Sequence, residues 1–270
     1  MDIQDREIHE ERRYSPLVLE EDSLGAEYKR YGHLYLPAVY RDLEDELSAG
    51  QIALCDYSCL SMISLSGNLA RKLCDSIVFD LEREKSLTSS DAIKLKAGLI
   101  LTTDHMVSEL VLRIDMGENQ QMLLCSLSNK EELLEGFKEQ LAVEPYNLVI
   151  GDESSKLCTL ALYGSGEELE DLLKDYLSEE QDYPKPFELK ALNLDEIPAM
   201  VYRLKIGQPK ELLLVQVSFD QAARLWRSLL SFEQLIPWGI ERFDSALEGD
   251  LPALSMLKEA RLYTKDELKL

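Results

Sequence analysis

Apolar and polar positions alternate from Leu34 onward: Leu34, Leu36, Ala38 and Tyr40 point the same way, which is the two-residue period of a strand. "GQIALCDYS", residues 50–58, predicts a second strand that ends in a polar turn, and "DSIVFDLE" and "AIKLKAGLILTT" predict further strands. Residues 109–141, "ELVLRIDMGENQQMLLCSLSNKEELLEGFKEQL", predict strand, turn at Gly117–Glu118–Asn119, strand and helix. Ser128 with Glu131 is at capping-box spacing, and Leu133, Leu134, Phe137 and Leu141 give the helix an apolar face. The order recurs in residues 199–235. A shift of 90 positions carries Val111, Arg113, Gly117, Leu123, Leu124 and Ser128 onto Val201, Arg203, Gly207, Leu213, Leu214 and Ser218. This predicts a tandem duplication of a small β unit closed by a helix.

Between the copies, "LCTLALYGSGEELEDLLKDYL" predicts a strand, a Gly-Ser-Gly turn and a helix. That turn lacks the lysine of a P-loop, and Glu167 and Glu168 would repel an anion, so Ser165 with Glu168 is read as a capping box. The expected organisation is an acidic arm at 1–27, a first domain at 28–150, a related second domain at 151–245 and an amphipathic C-terminal helix at 246–270. The expected class is α+β, with mainly antiparallel strands.

Charge narrows the partners. The 270 residues carry a formal net charge of -22, with no stripe of Lys and Arg to displace counterions from a nucleic acid. Anionic membrane surfaces are disfavoured on the same ground, and no apolar run reaches the length of a membrane span. The expected partner is a protein with a basic surface. Five cysteines in mostly apolar contexts, behind an acidic and polar N-terminus, predict a reduced, cytoplasmic protein. Cys55 and Cys59 have no second Cys/His pair at ligand spacing, so no metal is expected. Trp226 is expected in the core and Trp238, beside Pro237, as an exposed anchor.

One basic cluster interrupts the acidity. "KRYGHLYLPAVYR", residues 29–41, and "CDYSCLS", residues 55–61, together resemble the two signature blocks of PilZ domains, the small β-barrels that bind cyclic di-GMP. Lys29 and His33 stand where that family has two arginines, with Arg30 an adjacent cation; Asp56 and Ser58 match the second block, and Ser61 replaces its glycine. The resemblance implies PilZ-type β-barrels, each closed by a helix, over residues 28–141 and again, shortened, over 155–232. It implies Lys29, Arg30 and His33 on phosphates and Asp56 and Ser58 at the base edge of cyclic di-GMP, with Ser61 in the turn of the same site. Lysine cannot fork as arginine does, and histidine is mostly neutral at pH 7, so the altered positions weaken that grip.

The function expected on this basis is a non-enzymatic bacterial signalling protein that acts through protein–protein contact, with or without the nucleotide. The alternatives are an adaptor that never meets a nucleotide, and an enzyme with a site between the two copies that uses Asp104 and His105. No nucleophile elbow, zinc-helix or P-loop motif supports the last of these.

Overall fold

The computed structural model describes residues 13–41, 46–80, 93–101, 107–143, 147–177, 182–205 and 209–250. A small sheet joins β1 (Arg13–Tyr14), β3 (Leu34–Tyr40) and β2 (Ala26–Tyr31), with the short helix α1 (Val18–Ser23) between β1 and β2 in the chain. Gly32, at φ +58°, turns the β2–β3 hairpin, where a Cβ would come within 2.9 Å of Leu127. Residues 13–27, read from sequence as part of an acidic arm, carry β1, α1 and the start of β2.

The remaining strands build one twelve-stranded sheet. Its members are β4 (Ile52–Asp56), β5 (Leu60–Gly67), β6 (Val78–Asp80), β7 (Ile93–Leu101), β8 (Val107–Asp115), β9 (Gln120–Ser126), β10 (Leu148–Asp152), β11 (Leu157–Ser165), β12 (Glu188–Leu194), β13 (Ile197–Lys205), β14 (Lys210–Ser218) and β15 (Leu235–Pro237). The spatial order is β10-β5-β9-β8-β7-β12-β13-β14-β11-β4-β15, with β6 paired to β7. β7 and β12 join a first half to a second half through the ladder Glu188↔Lys94 and Leu189↔Ile93.

Burial explains the layering. Leu95, Ile114, Leu124 and Met62 of the first half share one core with Ala161, Tyr202, Leu212 and Leu214 of the second, so the sheet curls around a common inner face. The outer face of the first half is covered by α2 (Ala70–Ile77) and α3 (Lys130–Val143), through Leu73, Cys74, Leu133 and Phe137. α4 (Gly166–Tyr176) and α5 (Ala222–Leu229) cover the second half through Leu169, Leu172, Leu173, Leu225 and Trp226. Strands buried on both faces read as mainly apolar runs, as in "IALCD" of β4 and "ELLLVQV" within β14. The α4 cap is as read: Ser165 Oγ accepts from the Glu168 N–H while Glu168 accepts from the Ser165 N–H.

Three expectations are corrected here. The PilZ-type barrel is absent: among the described residues the sheet ends at β10 and β15 without closing, and the helices form outer layers instead of stopping a barrel mouth. The strand read at "DSIVFDLE" begins only at Val78, because Ala70, Leu73 and Cys74 recur at helical spacing and bury one face of α2. Trp238 is 5% exposed and packs with Tyr163 and Arg242, so it is no exposed anchor. α6 (Ile240–Asp250) overlaps the helix expected at 246–270 only in residues 246–250; residues 251–270 lie outside the described residues. No helix among the described residues is long and apolar enough to cross a membrane.

Candidate functional site

Register places one row of side chains across four strands of the second half. Ala191 on β12 pairs with Met200 on β13, Met200 with Gln216 on β14, and Gln216 with Thr159 on β11. The neighbouring row holds Asn193 paired with Pro198, and Leu157 paired with Ser218. Side chains two apart share a face, so Gln216 follows Leu212 and Leu214 onto the inner face. Residues of the two rows line an open cleft of ≈ 330 Å³, walled mainly by Leu157, Ala191, Pro198 and Met200.

Gln216 is the buried polar group of this cleft. Its Oε1 accepts from the Tyr202 hydroxyl at 2.6 Å, and its Nε2 donates to Thr159 Oγ1 at 3.1 Å. Burial pushes the Tyr202 phenol well above its ordinary pKa, so it remains a donor. An amide oxygen has two lone pairs and its nitrogen two hydrogens. Among the described residues, one acceptor position and one N–H of Gln216 carry no hydrogen bond, and Tyr202 and Thr159 fix the orientation of the amide. The sequence signal was a lone Gln in an apolar strand, and sequence reasoning passed over it.

The relay continues inward. The Thr159 N–H donates to Ser58 Oγ at 3.2 Å, Ser58 Oγ donates to Cys158 Sγ at 3.4 Å, and the Ser58 N–H donates to Asp56 Oδ1 at 3.1 Å. Asp56 and Ser58 thus do meet, in an Asx-type turn after β4, but they are 1% and 7% exposed. Burial pushes the Asp56 carboxyl up, and its hydrogen bonds to Ser15 and Ser58 only partly oppose that. Ser61 is fully buried on β5 and paired in register with Cys125 of β9.

The basic cluster lies elsewhere. Lys29 is exposed and bonds Glu241 of α6 at 2.9 Å, and Arg30 is exposed and donates to the Gly32 carbonyl at 2.9 Å. His33, at the hairpin tip, has its pKa lowered by partial burial and by Lys130 and Arg13. Surface cations and interior carboxyl and hydroxyl groups do not form one face for a nucleotide. All five cysteines are buried. Asp104 and His105 lie outside the described residues.

No protein-family model matches the chain, and no curated protein matches it in sequence. Its fold is similar to that of aminomethyltransferase T of the glycine cleavage system from Bartonella henselae. The TM-score is 0.68 at 15% identity, over 87% of this chain and 62% of that one. It is also similar to a chain of the heterotetrameric sarcosine oxidase from Corynebacterium sp. U-96 in complex with pyrrole 2-carboxylate. There the TM-score is 0.52 at 13% identity, over 81% of this chain and 93% of that one. At these identities the likeness is one of fold, and this chain spans 62% of the length of the aminomethyltransferase it matches. These findings overturn the PilZ-type fold and, with it, the expectation of a cyclic di-GMP-type signalling protein. They also remove the ground for expecting a non-enzyme, because the fold is one that enzyme chains carry.

Proposed function

We propose that the chain binds a small, flat organic molecule in the cleft on the inner face of its second half and works on it as an enzyme. The carrying observation is Gln216: a buried amide, oriented by Tyr202 and Thr159, at a mainly apolar cleft that Asn193 and Ser218 also line. The volume of ≈ 330 Å³ is at the lower end of small-molecule sites, which span roughly 300–1,000 Å³. One acceptor and one donor on the same amide suit a ring that carries a lactam edge, N–H beside C=O. The apolar walls suit its faces. Aminomethyl transfer, which the name of the Bartonella henselae protein gives, is the first reaction to assay.

Ligand-observed NMR with 2-pyridone, against toluene as the edge-less control, tests the binding. Ala191→Trp fills the cleft while leaving Gln216 and its two partners in place, and it is expected to abolish the 2-pyridone signal and any aminomethyl transfer. Gln216→Leu is expected to weaken 2-pyridone about tenfold or more, for two hydrogen bonds of about 1 kcal/mol each. Equal binding of 2-pyridone and toluene, or binding untouched by Ala191→Trp, would sink the assignment.

A further inference from the structure

α1 faces the wrong way for an ordinary amphipathic helix. Leu19 is 77% exposed, whereas Glu21, two residues on and so on the opposite side, is fully buried. The sequence spends an apolar contact to place a carboxyl inside. That carboxyl meets Asp56, which is 1% exposed at the end of β4. Among the described residues, neither oxygen of Glu21, nor Asp56 Oδ2, finds a protein donor. The two carboxyls face each other across the junction between the N-terminal segment and the main sheet, and they hold together only when one keeps a proton between them.

Among the described residues, the surroundings offer the pair no counter-charge. Glu20 and Asp22 flank Glu21 on α1, Tyr28 and Tyr40 approach from β2 and β3, Cys55 belongs to β4, and Cys158 lies on β11. Ser15 and Ser58 hydrogen-bond Asp56. The Tyr40 hydroxyl is buried beside the pair with no partner among the described residues. Arg227 of α5 reaches Glu20, at 3.8 Å, on the solvent side. We infer that the Glu21–Asp56 pair is a proton-operated latch that holds the N-terminal strap, residues 15–23, against the sheet and releases it as pH rises.

The direction follows from the environment. Burial first, and then the neighbouring Asp56 charge, pushes the Glu21 carboxyl up; burial does the same to Asp56. A raised carboxyl contributes its stability in full below its unfolded value and loses it as pH climbs through the folded value. Release would bare Leu17 together with Ile52 and Leu54, which now share one core. The latch is therefore a pH-gated apolar surface.

Hydrogen exchange of the α1 amides, corrected for intrinsic rate, tests this on the full chain between pH 5 and pH 9. Protection in the wild type is expected to fall by up to about tenfold per pH unit between the unfolded carboxyl value, near 4, and the raised folded value of the pair, and to level off above it. Glu21→Gln keeps the hydrogen bond without the titration, and its α1 protection is expected to stay flat across the range. Asp56→Asn, which retains an oxygen for the Ser58 N–H, gives the same reading by an independent route. Flat protection in the wild type overturns the latch, and so does an unchanged slope in both variants. Millimolar Ca²⁺ or Mg²⁺ that restores α1 protection at pH 9 in the wild type, but not in Glu21→Gln, also overturns it in favour of a cation site.

Discussion

Arg113 on β8 and Arg203 on β13 stand at matching positions in the two halves, and each is buried by a different device. Arg113 Nε donates to Gln121 at 2.8 Å and Nη1 to Asp75 of α2 at 2.6 Å, where Asp75 is 53% exposed. Arg203 Nε meets Glu211 at 2.6 Å, with both side chains 9% exposed. Its Nη2 reaches Glu170 of α4 at 3.0 Å, its Nη1 donates to the Pro184 carbonyl at 3.1 Å, and the Tyr183 ring lies 4.5 Å away. The same shift of 90 positions relates Gln121 to Glu211, so one clamp is closed by an amide and the other by a carboxylate. The opposite strand explains the choice. Asp115 stands across from Gln121, and a carboxylate at 121 would face it. Glu211 also lies against Gly166 in the first turn of α4, where a helix N-terminus favours negative charge. A repeated scaffold can hold the same cation in the same place while local charge decides what answers it.

Removing each arginine in turn breaks the comparison most forcefully. Arg203→Met strands Glu211 in the interior, and loss of one partner of a buried pair costs about 3–5 kcal/mol. Arg113→Met leaves Asp75, which water can reach, and Gln121, whose Nε2 still donates to Asp115 and to the Gly117 carbonyl. The expected cost is about 1.5–3 kcal/mol, the range for a hydrogen bond to a charged group. Urea unfolding of both variants measures the difference. If Arg113→Met proves the more damaging, Gln121 is not the weaker closure that the geometry makes it.

Exchanging the closures sharpens the point with a smaller effect. Gln121→Glu gains a charge for Arg113 but loses both Nε2 donations and puts a carboxylate against Asp115. It is expected to destabilise by about 1–2 kcal/mol at neutral pH, and less in acid. Glu211→Gln keeps an acceptor for Arg203 but halves the strength of a charge-assisted bond, for a cost of about 1 kcal/mol. Each single exchange is expected to be harmful, as shown by the same unfolding assay. A stabilising Gln121→Glu would mean that Asp115 does not govern its neighbour.

Much of the strand content could be read: β3, β9 and β14 lie within segments read as strands, and β8 and β13 begin two residues before theirs. The 90-position shift relates segments whose strands have matching starts: β8 begins at Val107 and β13 at Ile197, β9 at Gln120 and β14 at Lys210. The shape was not legible. Whether strands close into a barrel or spread into one curled sheet depends on pairings such as β7 with β12, across more than ninety residues, and side-chain period says nothing about those. Short degenerate blocks such as "CDYSCLS" fit a turn as readily as a binding motif, and here the turn buries Asp56 and Ser58. The cleft was missed because its rows combine Ala191, Met200, Gln216 and Thr159 from four strands, a set that no local pattern joins. Glu21 was missed for the opposite reason: an acid in an acidic segment gives no sign that it points inward.

The smallest effect concerns acid. Burial raises the Asp115 carboxyl, but the Gln121 amide, the Gly117 N–H and the Arg71 guanidinium outweigh it, so the net shift is downward. Arg71 lies 2.7 Å away and itself belongs to α2, which ties that helix to the β8–β9 hairpin. A depressed carboxyl contributes stability above its unfolded value, near 3.9, and loses it as pH falls through the lower folded value. The matching position of the second half is a lysine, which offers no such acid-sensitive tie. Hydrogen exchange on acidification should therefore loosen β8 and β9 before β13 and β14. Asp115→Asn retains an oxygen for the Gly117 N–H but drops the charge. It is expected to weaken the first half slightly at pH 7 and to bring the acid loosening of the two hairpins to within a few tenths of a pH unit of each other. Should the second hairpin loosen first in the wild type, the acid-sensitive tie would have to be sought in its own carboxylates, with Glu211 and Glu170 around Arg203 the first to replace.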